Sequence, residues 1–357
     1  MALRSSCRFS DLPSDVLFSI LQFLPTEDGL ALSSTSFDIR MALYPFLFSE
    51  VWVRSQSGAS QALDKAVESG NLALLNAIRK LNAAYYDGES CLAITRFISG
   101  APHLQRICFY SSPLSFKQLE AIITLLKVTQ LQELVVELDT STDNQSITGL
   151  PHLKHLEIRF EPDVDERTAS TFNPDDFLWP FINPSIDMLE FLSLQFSQNA
   201  QGVDISRLAP AVRLRTFHLQ SNRDDSNMIS VLPSVLPDLK DLALRINVND
   251  PPVYRNSYVA SFAQFRNLEK LTLNLDLDRV ANDPPKPNNI AFCTRSLRRR
   301  MPYTDNLFAA CKALKHINWF INDEHKIIVC HQFWIVETPA GRVVETDWWR
   351  PSYVSQE

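Results

Sequence analysis

From residue 104 onward the apolar positions fall into one recurring pattern, L-x-x-L-x-L. Its instances are Leu104-Ile107-Phe109, Leu131-Leu134-Val136, Leu153-Leu156-Ile158, Leu189-Leu192-Leu194, Leu214-Phe217-Leu219, Leu239-Leu242-Leu244, Leu268-Leu271-Leu273 and Leu314-Ile317-Trp319. The last two apolar positions of each lie two residues apart, the spacing of a strand with one buried face. Successive instances begin 27, 22, 36, 25, 25, 29 and 46 residues apart. Between them, helical spacing appears over Phe116–Lys127, Asp204–Val212, Met228–Leu236, Ser257–Phe265 and Asp305–Cys311. A short strand followed by a helix, recurring every ~20–29 residues, predicts a curved solenoid with a parallel sheet on its inner face.

The first fifty residues follow a different period. Val16, Leu17, Ile20, Leu21 and Leu24 form a helical stripe, with Asp11 and Ser14 as cap chemistry, Pro13 in the first turn and Pro25 at the exit. Thr26 can cap a second short helix, and Ser36 a third that stops before Pro45. Three short helices make too small a core for a secure independent domain, so such a unit gains by docking an apolar face on a partner. Residues 55–100 predict two or three helices; one stretch is similar to an ankyrin-like helix pair, but no second copy follows, which favours a helical linker. At the other end Lys326–Glu337 and Arg342–Thr346 flank a turn at Thr338-Pro339-Ala340-Gly341, a hairpin with Trp348 and Trp349 as packing residues.

Leu12-Pro13, Val16-Leu17, Ile20-Leu21, Leu24, Asp28, Leu30, Leu32 and Tyr44-Pro45-Phe46-Leu47-Phe48 together resemble an F-box over residues 9–53. Gly29 stands where that family usually has an aliphatic residue, and Ile39 where tryptophan is frequent. The later pattern resembles an irregular leucine-rich-repeat array. That family's Asn slot is filled by Asn222, Asn247 and Asn322, partly by Asp139 and Asp276, and not by Ser112, Glu161 or Ser197. The fold class these resemblances imply is α/β: a three-helix F-box at 9–53, a helical linker at 54–100, a degenerate leucine-rich-repeat array at 101–325 and a capping hairpin at 326–350. They also imply a role. The F-box would bind a Skp-type adaptor, and through it a cullin, using Leu12, Pro13, Val16, Leu17, Ile20, Leu24 and Leu30. The array would hold a protein target for ubiquitylation, with no cofactor and no bond chemistry of its own. A ligase-independent interaction scaffold is the alternative.

Composition narrows the choices. The 8 glycines among 357 residues are never closer than twelve positions apart, so G-x-G, G-x-x-x-x-G-K and G-x-S-x-G cannot occur. A net charge of −7 argues against nucleic acid as the main partner. Six scattered cysteines without C-x-x-C suggest reduced thiols and no zinc site. No secretory h-region and no apolar run of about 20 residues occurs, so a cytoplasmic or nuclear protein without a membrane span is expected.

Candidate chemistry resolves mostly into structure. Asp276 and Asp278 continue an alternating strand in which Thr272, Asn274 and Asp276 take the solvent side. His325, Cys330 and His331 could ligate a metal, but adjacent strand residues point to opposite faces. His152 and His155 lack partners nearby in sequence, and Asp163, Asp165 and Glu166 fall in a Pro-containing loop. Arg295, Arg298, Arg299 and Arg300 suggest a solvated loop, a nuclear-import patch or a contact for an acidic partner. What remains is a surface. The residues between the buried positions form two columns facing outward: Cys108, Val135, Glu157, Ser193, His218, Ala243, Thr272 and Asn318, then Tyr110, Glu137, Arg159, Gln195, Gln220, Arg245, Asn274 and Phe320. Their mixed polarity suits a protein or peptide ligand.

Overall fold

A computed structural model describes residues 12–54, 59–84, 88–110, 113–126, 130–139, 146–161, 173–196, 203–221, 227–246, 252–275, 277, 290–322, 328–339, 341–346 and 352–354. The chain divides into two compact units, Met1–Glu137 and Leu138–Glu357.

The first unit opens with three helices, α1 (Ser14–Gln22), α2 (Thr26–Ser33) and α3 (Phe37–Leu47). Pro13 and Pro25 occupy the N-cap positions of α1 and α2, so Thr26 is already helical. Ser36 caps α3 as expected, its side chain accepting from the Ile39 N–H. α3 runs through Pro45 instead of stopping before it. Its last turn brings Leu47 against Gly29, where a Cβ would lie 3.2 Å from Leu47 Cδ2 and 3.5 Å from Leu21 Cδ2. Glycine at this position costs ~1 kcal/mol of helix propensity but leaves space between the three helices.

Next come β1 (Glu50–Arg54), α4 (Ala59–Glu68), α5 (Leu72–Ala77), β2 (Lys80–Ala84), α6 (Gly88–Gly100), β3 (Arg106–Tyr110), α7 (Phe116–Leu126) and β4 (Glu133–Asp139). β1 to β4 pair in parallel in sequence order. Helices connect them because parallel neighbours need a crossover.

The second unit contains β5 (His155–Glu161), α8 (Pro174–Ile182), β6 (Phe191–Gln195), β7 (Thr216–Ser221), α9 (Met228–Val235), β8 (Asp241–Ile246), α10 (Asn256–Phe262), β9 (Lys270–Leu273), α11 (Ile290–Ala310) and β10 (His316–Asn322). β5 to β10 are parallel. β11 (Ile328–Thr338) then reverses direction, pairing antiparallel with β10, with β12 (Gly341–Thr346) and with β13 (Ser352–Val354).

The expected fold class is therefore corrected. A short F-box followed by a leucine-rich-repeat solenoid is not what forms; each unit builds a parallel ladder whose strands are joined by helices, and the second ends in antiparallel strands. Strands start at Glu50, inside the expected box, and β2 runs through the expected linker. Strands without an L-x-x-L-x-L signature escape a search for that pattern: Glu50–Arg54 and Lys80–Ala84 are as long as the strands that were found but follow Phe48 and Ile78, not a leading leucine. Asp204–Val212 forms only a 3-10 turn at Ile205–Leu208, and Asp305–Cys311 falls at the end of a 21-residue helix. β13 was not foreseen, and Trp348 and Trp349 lie outside the described residues.

One local device recurs at the strand entries. Two consecutive N–H groups donate to a single carbonyl of the preceding entry: Arg79 and Lys80 to Ser49, Gln105 and Arg106 to Arg79, Gln132 and Glu133 to Gln105. In the second unit Glu190 and Phe191 donate to Lys154, Arg215 and Thr216 to Glu190, Lys240 and Asp241 to Arg215, Glu269 and Lys270 to Lys240, and Lys315 and His316 to Glu269. All these bonds measure 2.8–3.1 Å. Each carbonyl uses both lone pairs, which fixes where the next strand begins. Behind the entries the apolar positions of the pattern pack against the helices. Leu156, Leu192, Phe217, Leu242, Leu271 and Ile317 are fully buried, as are Leu104, Leu153, Leu189, Leu239, Leu268 and Leu314.

Candidate functional site

Among the described residues no group of histidine, cysteine and acidic side chains could hold a metal ion, and no helix is long and apolar enough to cross a membrane. The structure instead offers two surfaces, one in each unit.

In α1–α3, Leu17 and Leu43 form the interior. Much of the remaining apolar material stays outside: Phe23 is 87% exposed, Phe37 72%, Leu30 45%, Val16 39% and Met41 38%. Val16, Ser19, Ile20 and Phe23 line a shallow depression on α1. Of the residues expected to contact an adaptor, Pro13, Val16 and Leu30 are exposed, Leu12, Ile20 and Leu24 are half-buried, and Leu17 is internal. Phe23, Phe37 and Met41 were missed. The signal for Phe23 was present, because it stands seven residues after Val16 and three after Ile20, on the same helical face.

The second surface is the sheet face turned away from the helices, where burial along β6, β7 and β8 alternates residue by residue. Register makes Glu157, Ser193, His218, Ala243, Thr272 and Asn318 one continuous row. Arg159, Gln195, Gln220 and Arg245 form the next. A third row, toward the strand entries, contains His155, Phe191, Thr216, Asp241, Lys270 and His316. The His155 ring stacks on Phe191 with centroids 3.9 Å apart, and His218 meets the same ring edge-on at 5.2 Å.

Charges on this face are largely paired. His155 Nε2 is 2.9 Å from Glu157 Oε1. Burial pushes the Glu157 carboxyl up, but the His155 hydrogen bond and the charges of His155, Arg159 and His218 outweigh it and hold it below the usual range. Asp241 is also held low: burial opposes ionisation, and His218 and Lys270 favour it more strongly. Lys270 donates to Asp241 at 3.0 Å, whereas His218 stands 3.5 Å away at an ion-pair separation. Glu269 receives Lys315 at 2.6 Å and faces Lys240 at 3.9 Å. Arg245 differs. Its guanidinium lies over Phe320 at 5.3 Å, its Nε and Nη2 are buried with no hydrogen-bond partner among the described residues, and burial pushes its pKa down to about 10.

Two expected face residues are corrected in the second unit. Thr272 and Asn274 are buried and do not take the solvent side. Asn274 accepts from the Ile246 N–H at 2.8 Å and donates to its carbonyl at 2.9 Å, so its carboxamide continues the sheet where β9 ends. Thr272 accepts from Asn318 at 3.2 Å.

In the first unit the equivalent face is closed. Asn82, Cys108 and Val135 are register partners and all are buried, as is Glu137. Trp52, the register partner of Asn82, stacks on Tyr110 with centroids 6.0 Å apart. Arg106 Nε donates to Cys108 Sγ at 3.1 Å, and this contact raises the Arg106 pKa. Burial, reinforced by Cys108, pushes Tyr110 up to about 12.

The remaining candidates are dispersed. Arg295, Arg298 and Arg299 are exposed on α11, a helix where a loop was expected, and Arg300 donates to the Ser296 carbonyl. His331 is buried opposite Trp319, with Nε2 unpartnered among the described residues; burial and then the Arg300 charge push its pKa down to about 4. His155 belongs to the sheet face, while His152 is exposed with φ 77°. Asp11, Ser112, Asp163, Asp165, Glu166, Ser197, Asn222, Asn247, Asp276, Asp278 and His325 lie outside the described residues. No family model matches the chain, and no curated protein matches it.

Proposed function

We propose that this protein is a substrate-recognition subunit of an SCF-type ubiquitin ligase. Helices α1–α3 dock on a Skp-type adaptor, which links them to a cullin, and the open sheet face of the second unit holds a target protein. The chain does no bond chemistry; it raises the target's effective concentration beside the ubiquitin-loaded conjugating enzyme. Cytoplasm or nucleus is the corresponding location. The observation that carries this proposal is the apolar surface left on α1–α3, from Phe23 at 87% exposed to Met41 at 38%. Such a patch on so small a helical unit marks a protein contact. The sequence resemblance at Leu12-Pro13 and along the α1 stripe supports the identity of that contact.

The test is co-purification with a Skp-type adaptor, comparing wild type with Leu12→Ala/Pro13→Ala and with Phe23→Ala. Phe23 contributes little to the interior, so its substitution leaves the fold intact. Capture by wild type and its loss in both variants is the expected result. A folded wild type that captures no adaptor overturns the assignment. Capture without ubiquitylation of any bound protein points to a ligase-independent scaffold.

A further inference from the structure

Arg159, Gln195, Gln220 and Arg245 are successive register partners across β5–β8. At roughly 4.8 Å per strand the row spans about 14 Å. It contains two guanidiniums and two carboxamides and no carboxylate. Elsewhere on this face each of Glu157, Asp241 and Glu269 has a basic partner. Among the described residues Arg245 has none: Nε and Nη2 find no acceptor, and burial alone shifts its ionisation. These two nitrogens form one edge of the guanidinium, the edge that a carboxylate grips with two parallel bonds. An unsatisfied charged edge is unfavourable, and the Phe320 ring, with its centroid 5.3 Å from Arg245 Cζ, supplies only a cation–π contact.

We propose that this row binds an acidic segment of the target protein, with one carboxylate gripped in bidentate fashion by Arg245 and the two glutamines donating to neighbouring acceptors. This rests on the assignment of the sheet face to target binding. A single fork beside uncharged glutamines matches one negative charge. A phosphoryl group would call for a second cation within reach, and Arg159 stands three strands away, acting on Glu157. Arg245 is only partly exposed and its fork is buried, so binding requires the guanidinium to turn off Phe320 toward the open side.

The probe is a fluorescein-labelled hexaglutamate peptide, titrated against the full chain at low salt and followed by anisotropy. Saturable binding is expected, weakened at least about tenfold in Arg245→Gln and by a similar factor in Arg245→Lys, which keeps the charge but lacks the fork. Thermal unfolding of Arg245→Gln should be unchanged or raised, because an uncompensated buried charge is removed. Arg245→Lys gives the same decision if the glutamine variant fails to fold. Absence of saturable binding, or variants that bind like wild type, overturns the proposal. Tighter binding of a phosphoserine peptide of equal net charge overturns the choice of a carboxylate. Adaptor capture is scored on the same preparations. Capture without peptide binding defeats this inference alone, and peptide binding without capture supports it while defeating the ligase role.

Discussion

The two units use the same parallel ladder and end with opposite surfaces. In the first, the row Asn82–Cys108–Val135 is buried, and Trp52, the register partner of Asn82, stacks on Tyr110. In the second, the corresponding row Glu157–Ser193–His218–Ala243 remains half-exposed and carries charge. Backbone geometry does not separate them. The difference lies in exposure: Asn82, Cys108, Val135 and Glu137 are buried in one unit, whereas the ion pairs and carboxamides of the other keep contact with water. A sheet face becomes an interface when its polar groups are satisfied sideways along the sheet and not from above.

The sharpest way to break this comparison is to place a charge on each face. Val135→Asp buries an unpaired carboxylate and should cost more than ~4 kcal/mol, while Ala243→Asp, on the open row, should stay within about 1 kcal/mol, both read by chemical unfolding. Next in size is the covered side of the second unit. Leu219→Ala should lose about 3 kcal/mol, and its neighbour Gln220→Ala less than about 0.5 kcal/mol; equal losses would contradict the alternation of burial.

The pH dependence has two parts. His331 is neutral in the folded protein with its pKa near 4, below the ordinary histidine value of 6.5, so the unfolded chain takes up the proton first. Stability should therefore fall as pH drops from about 6.5 toward 4, by up to about 3 kcal/mol, and His331→Gln should flatten that slope. The smallest effect belongs to Glu157, whose folded pKa lies below the ordinary glutamate value of 4.5. Its contribution is present above the unfolded value and lost as pH falls through the folded one. Glu157→Gln should lower stability at neutral pH by that contribution and remove that part of the acid limb, leaving the slope of the neutral region unchanged.

Most strands of the second unit were legible because each carries two buried positions behind a leading leucine, and a period of two survives in so short a segment. The outward columns were legible for the same reason: once the buried positions are known, the residues between them must face the other way. Burial on that face was not legible. Asn274 and Thr272 alternate like solvent-facing residues, yet their partners Ile246 and Asn318 lie 28 and 46 residues away in sequence. The unpaired state of Arg245 depends on what four strands do not place beside it, which no local pattern records. β1 and β2 were missed because they lack the leading leucine, and α11 because Pro302 sits inside an otherwise polar helix.

The double-donor carbonyl at each strand entry has a consequence for how this chain can change over generations. Register passes from one entry to the next through backbone atoms that every amino acid except proline supplies, so it does not depend on the length of the intervening segment. Insertions and deletions between a strand's exit and the next entry can accumulate without turning any outward side chain inward. Sequence drift in the connections and adaptation of the exposed rows are thereby uncoupled, and the face can acquire a new binding preference one side chain at a time.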